Sequence, residues 1–183
     1  MQITDHELWL LNLYRNSELH GALLMARLAR SVSAPALILG ATRHCATEAG
    51  HAAQLTEVIV ALGGCVDPLA DTIQQHYAEL GGTPAQLVDL LVLSEVLEAR
   101  VLASYREHLQ RDDVHPQVRR ALESIIREEE AHSGEQGWVE AALTQIDTAR
   151  VEASRSKWSA IDSRAADTLR AKLRHRFGSE ASA

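Results

Sequence analysis

Glu48-Ala49-Gly50-His51 and Glu129-Glu130-Ala131-His132 each set a carboxylate and an imidazole three positions apart inside a segment of helical periodicity. With 1.5 Å of rise and 100° of turn per residue, each pair stands on one helix face, about 4.5 Å apart along the axis. Neither pair sits on a polar face. The stripe through the first reads Leu37, Ala41, His44, Glu48, His51/Ala52, Leu55, Ile59 and Leu62. The stripe through the second reads Val118, Leu122, Ile125, Glu129, His132, Gln136, Val139 and Leu143. Both are apolar at the ends and ionisable in the middle. Burying an uncompensated carboxylate costs several kcal/mol, so a chain patterned this way has to bring its ionisable centres together and supply them with positive charge.

Two further stripes share the pattern. Leu8, Leu11, Tyr14, Glu18, Gly21, Met25 and Leu28 recur at steps of three and four, as do Leu87, Leu91, Ser94, Glu98, Val101, Tyr105 and Leu109. Four long helices follow: Asp5 to Ser33, Pro35 to Leu62, Thr83-Pro84 (cap and first turn) to Gln110, and Pro116 to Ile146. Pro35 suits a first helical turn, Gly63-Gly64 suits a C-terminal cap, and Asp112 to Pro116 forms the next turn. Between Cys65 and Pro84 a short helical piece from Leu69 to Leu80 is expected, closed by Gly81-Gly82. This connection is too long for a hairpin and has to cross the end or side of the bundle.

From Arg150 to Arg176 eight basic residues face three acidic ones, an excess of five that leaves the rest of a chain of net charge −7 near −12. Val151, Trp158, Ile161, Ala165 and Leu169 permit a fifth helix packed on the bundle with a solvated basic face. The expected fold class is therefore all-α, with residues 1–147 as an antiparallel four-helix bundle carrying a crossover connection. Residues 148–183 form an additional C-terminal basic helix and tail on the same domain.

The hydrophobic fraction of 46% is ordinary for a globular chain, and the acidic balance argues against wholesale binding to nucleic acid or membrane surfaces. No apolar run reaches the roughly 18 residues that a membrane span needs. The start, MQITDHELWLLNLYRNSE, has neither the basic region nor the apolar core of a signal peptide, so a cytoplasmic location is expected. Cys45 and Cys65 form no CxxC, which removes ribbon-type zinc sites, and Cys45 is expected as a buried free thiol.

Four glutamates on the inward stripes, with no basic residue beside them, call for about four positive charges, which two divalent ions supply. Carboxylates and imidazoles without thiolates suit Fe(II) or Mn(II) better than a structural zinc. The spacing supports a duplicated half-site: Glu18 to Glu48 is 30 residues and Glu98 to Glu129 is 31, whereas Glu95 to Glu129 is 34. Glu98 is preferred on that count, with Glu95 and His44 as further candidates. Glu128 and Glu130 read as solvated neighbours of Glu129, His44 as a supporting or core histidine, and Tyr105 as core. Gly21 and Gly50 cost helix stability and mark either close packing or room beside the metals.

This arrangement resembles the ferritin-like di-iron or di-manganese carboxylate proteins, in which two helices each give a Glu and two give Glu-x-x-His. The resemblance covers about Glu7 to Leu143. It implies a ferritin-like bundle in which Glu18 and Glu98 are terminal ligands, Glu48 and Glu129 bridge, and His51 and His132 each bind one metal. Leu97-Glu98-Ala99-Arg100 also looks like the third-helix ligand segment of the tRNA-modifying hydroxylases of that superfamily.

The implied function is a non-haem di-iron oxidoreductase that activates O2, of hydroxylase or oxidase type. It would use two Fe ions (Mn as the alternative), an external electron donor and a small-molecule substrate that the sequence leaves open. A monomer or homodimer is expected. The alternatives are a ferritin-like iron-binding or peroxide-detoxifying protein without an organic substrate, and a tRNA-hydroxylase-like enzyme. The duplicated motif departs from cage ferritins, and the missing four-cysteine domain departs from rubrerythrins.

Overall fold

A computed structural model describes residues 2–67, 73–135 and 137–178, with side chains except those of 131–135. The described residues form seven helices and no strand: α1 (Asp5–Ser31), α2 (Pro35–Ala61), α3 (Ile73–Gly81), α4 (Leu87–Leu109), α5 (Pro116–Glu135), α6 (Gly137–Leu143) and α7 (Thr148–Phe177). The all-α expectation holds. None of these helices is long and apolar enough to cross a membrane.

The local chemistry sets most of the boundaries. Thr4 caps α1, its hydroxyl accepting from the Glu7 amide at 3.1 Å. Pro35 opens α2, and Gly63, with φ of +74°, lets the chain turn out of it. Asp147 caps α7 by accepting from the Arg150 amide at 3.1 Å. Two boundaries differ from expectation. Thr83-Pro84 does not start α4, which begins at Leu87 with Gln86 as its cap; Pro84 instead presents its carbonyl to Arg27 at 2.8 Å. The expected fourth helix is described as α5 and α6 on either side of Gln136, which lies outside the described residues, and it ends at Leu143 in a tightened turn. The first part of the short connecting helix (69–72) is likewise outside them.

α1 packs along α2, α2 against α5, α5 against α4, and α4 against α1, closing a ring. Two apolar clusters fill it. One holds Leu11 and Tyr14 of α1, Leu55 and Ile59 of α2, Tyr105 of α4, and Leu122 and Ile125 of α5. The other holds Met25 and Leu28 of α1, Ala41 of α2, Leu91 of α4 and Val139 of α6. On α1, α2 and α4 the ionisable residue expected at mid-stripe falls between the helix's members of the two clusters, and Glu129 of α5 falls between Ile125 in one cluster and Val139 of α6 in the other.

α7 lies on α4 and α3. Trp158 is fully buried, and its indole N–H donates to Asp89 of α4 at 3.0 Å, an acceptor shared with the Ser154 hydroxyl at 2.7 Å. Asp162 accepts from Arg100 Nε at 2.8 Å and from the Tyr77 hydroxyl, joining α7, α4 and α3. The C-terminal helix is thus part of the same packed unit, with Arg164 and Lys172 among its exposed basic residues. Trp158→Ala is expected to lower unfolding free energy by about 3–5 kcal/mol, read from chemical denaturation, because it empties the largest side chain of this interface and leaves Asp89 short of a donor.

Candidate metal centre

Glu18 of α1, His51 of α2 and Glu129 of α5 reach the middle of the ring from three helices, and one ligand atom of each lies within 4.8 Å of the others. Glu18 and His51 are each 2% exposed, Glu129 8%. His51 Nδ1 is 3.0 Å from Glu129 Oε1 and 3.4 Å from Glu18 Oε2. Neither ring nitrogen of this buried histidine makes an aligned hydrogen bond. Burial lowers the imidazole's proton affinity, but the Glu129 and Glu18 carboxylates outweigh it and push its pKa up to about 10.

Glu48 and Glu98 stand beside this trio. His44 Nε2 lies 2.7 Å from Glu48 Oε1 and 3.4 Å from Glu98 Oε1, so the histidine one turn before the Glu-x-x-His pair links carboxylates of α2 and α4. Burial raises the Glu48 pKa well above the ordinary carboxylate value, and the facing Glu18, Glu129 and Glu98 raise it further. Four carboxylates thus converge on a cavity of about 30 Å³, lined also by Gly21, Leu24, Met25 and Leu97, with no Lys or Arg among its described lining residues. The space admits one or two water-sized groups.

Gly21 explains how Glu48 fits. A Cβ there would lie 2.6 Å from Glu48 Oε2, so only glycine leaves the carboxylate its place against α1. Gly50 meets nothing within 4 Å, and the reading of it as packing or metal room has no counterpart. Gly21→Ala should therefore separate site from fold. Helix propensity favours the variant by up to about 1 kcal/mol, so thermal stability of the metal-free protein holds or rises. Its affinity for Fe(II) or Mn(II), followed by titration calorimetry, should fall because Glu48 is displaced.

Of the six ligands expected from sequence, Glu18, Glu48, His51, Glu98 and Glu129 come together. His132 lies in α5, with its side chain outside the described residues. Glu95 points to α7, where Arg155 approaches its carboxylate at 3.5 Å. Glu130 is exposed and paired with Arg106 at 2.7 Å, as a solvated neighbour should be. Glu128 departs from that description: although half exposed, its Oε2 comes within 3.4 Å of His51 Nε2. Cys45 is a free thiol, half-buried rather than buried.

Tyr105 is more than core. It is completely buried and its hydroxyl donates to Glu18, while its ring meets Tyr14 edge-on at 4.7 Å. Burial and the Glu18 charge both drive the phenol pKa well above its usual value, so it remains a donor. Its seven-residue step from Glu98, on one stripe, was the available signal. A second buried polar group was also missed. Glu7, on the stripe of Leu11, Tyr14 and Glu18, accepts from the His115 amide at 2.9 Å and lies 3.4 Å from His108 Nε2.

No family model, curated protein or solved structure matches the chain.

Proposed function

We propose that this chain is a ferritin-like dinuclear carboxylate protein, a non-haem oxidoreductase that holds two iron ions (or manganese) and activates O2. The reading rests on the convergence of Glu18, His51 and Glu129, with donor atoms within 4.8 Å of one another and Glu48 and Glu98 adjoining, at a buried point with no Lys or Arg among its described lining residues. A buried imidazole whose nitrogens face carboxylates without aligned hydrogen bonds fits a ligand shell better than a structural ion pair. The sequence of apolar clusters supports the finer fold. α1 runs from the first cluster towards the second while α2 and α4 run the other way, and Val139 of α6 carries the line of α5 into the second cluster, an order that supports a bundle with α2 and α4 parallel and a crossover between them.

Glu18, His51 and Glu129 would hold one ion. Glu48 and Glu98 would close on the second, with His132 completing the motif. His44 holds the Glu48 carboxylate in place at 2.7 Å, and the Tyr105 hydroxyl fixes one oxygen of Glu18. Leu24, Met25 and Leu97 supply apolar lining to the cavity. Loaded with iron, such a centre would supply the electrons that reduce dioxygen, and an external donor would restore them.

Stopped-flow absorbance tests this reading. Reduced, iron-loaded protein mixed with oxygen is expected to oxidise its iron at least about tenfold faster than free Fe(II) in the same buffer, and equal rates would count against it. A second reading, iron handling without an organic substrate, draws on the small size of the cavity, about 30 Å³. A large cage in sedimentation would favour it; a monomer or homodimer favours the oxidase.

A further inference from the structure

A second pocket, of about 260 Å³, adjoins the metal centre on its outer side, between α1, α3 and α4. Leu24, Gln74 and Leu97 belong to both linings, so they form the wall between this pocket and the carboxylate cavity. The pocket is mostly apolar, with Leu93 and Trp158 deep in it, and falls just below the roughly 300 Å³ at which drug-sized sites begin. Two polar groups stand out. Gln74 Oε1 is buried at the shared wall without a hydrogen-bond partner. Arg27 is exposed at the rim; one Nη2 hydrogen bond to the Pro84 carbonyl at 2.8 Å anchors it, and no carboxylate among the described residues pairs with it. A guanidinium held at one end and otherwise available beside an apolar cleft suits a carboxylate with a hydrocarbon body.

We propose that this pocket binds a small apolar carboxylate, its charged group at Arg27 and its hydrocarbon end against Leu24, Leu93 and Leu97. As the substrate class of the centre this rests on the oxidoreductase reading; as a binding site it does not. Reversed entry is disfavoured because the four glutamates beyond the wall repel an anion.

The test uses the metal-free full chain with octanoate and 1-octanol as probes in titration calorimetry. Octanoate is expected to bind about tenfold tighter than octanol, and Arg27→Gln to remove that difference while leaving octanol unchanged. Ala78→Trp, an exposed α3 position on the lining, should weaken both probes by at least about tenfold without a loss of thermal stability. Equal affinity of the two probes, indifference to Arg27→Gln, or indifference to Ala78→Trp would each overturn the proposal. So would a protein that binds neither because a second copy covers Leu23 at the rim. Iron titration of the same samples separates the two readings: metal uptake with no octanoate preference sinks the pocket alone, and octanoate preference with no metal uptake sinks the centre alone.

Discussion

Glu129→Ala is expected to abolish dinuclear metal binding. Wild-type protein titrated anaerobically with Fe(II) should take up about two ions per chain, whereas the variant should lose more than about 100-fold in affinity. Removing even an outer hydrogen-bond partner of a ligand typically costs 10–100-fold, and Glu129 is the carboxylate nearest His51, at 3.0 Å. Glu48→Ala is expected to match it, since Glu48 is the member packed against Gly21 and held by His44. Glu130→Ala is the control: its carboxylate faces Arg106 at the surface, and metal content should not change. Equal metal uptake by all three variants would remove the ligand assignment.

The second large effect has opposite signs with and without metal. Glu18, Glu48, Glu98 and Glu129 crowd a buried cavity, and Glu48 bears the cost as a raised pKa caused by burial first and by Glu18 next. Without metal, Glu48→Gln relieves that crowding and should stabilise the fold by about 1–2 kcal/mol, or roughly 2–8 °C in Tm for a chain of this size. With metal the order reverses. An ion present at 100 times its Kd adds about 2.7 kcal/mol, so two sites should raise the wild-type Tm by about 10 °C or more. Glu48→Gln should forfeit most of that gain. Scanning calorimetry of both proteins, with and without Mn(II), gives the comparison. A variant less stable in both states would mean that Glu48 serves packing rather than metal.

Much of this site was legible because buried charge is so costly. Glu18, Glu48, His51, Glu98 and Glu129 interrupt apolar stripes at mid-helix, and a helix can hide such residues only where others answer them. Apolar residues at steps of three and four likewise marked the helical segments, and the same pattern placed Trp158 on the packed face of α7. Three things were less visible. The start of α4 depends on Pro84 giving its carbonyl to Arg27, a long-range choice that local capping rules do not see. The reach of Glu128 to His51 depends on the rotation of α5, which a heptad count fixes only to within a residue. The Tyr105–Glu18 bond joins residues 87 apart, and a tyrosine on an apolar stripe carries no mark of which carboxylate its hydroxyl will find. Glu7 could have been found, because it continues the α1 stripe one turn before Leu11.

On the proposed reading, the carboxylate cluster holds two metal ions. Anomalous diffraction from crystals grown with Mn(II) tests it most directly. Two peaks about 3.5–4 Å apart are expected, within bonding distance of Glu18, Glu48, His51, Glu98 and Glu129. Crystals with no peak among these residues, or with manganese bound only at surface carboxylates, would contradict it.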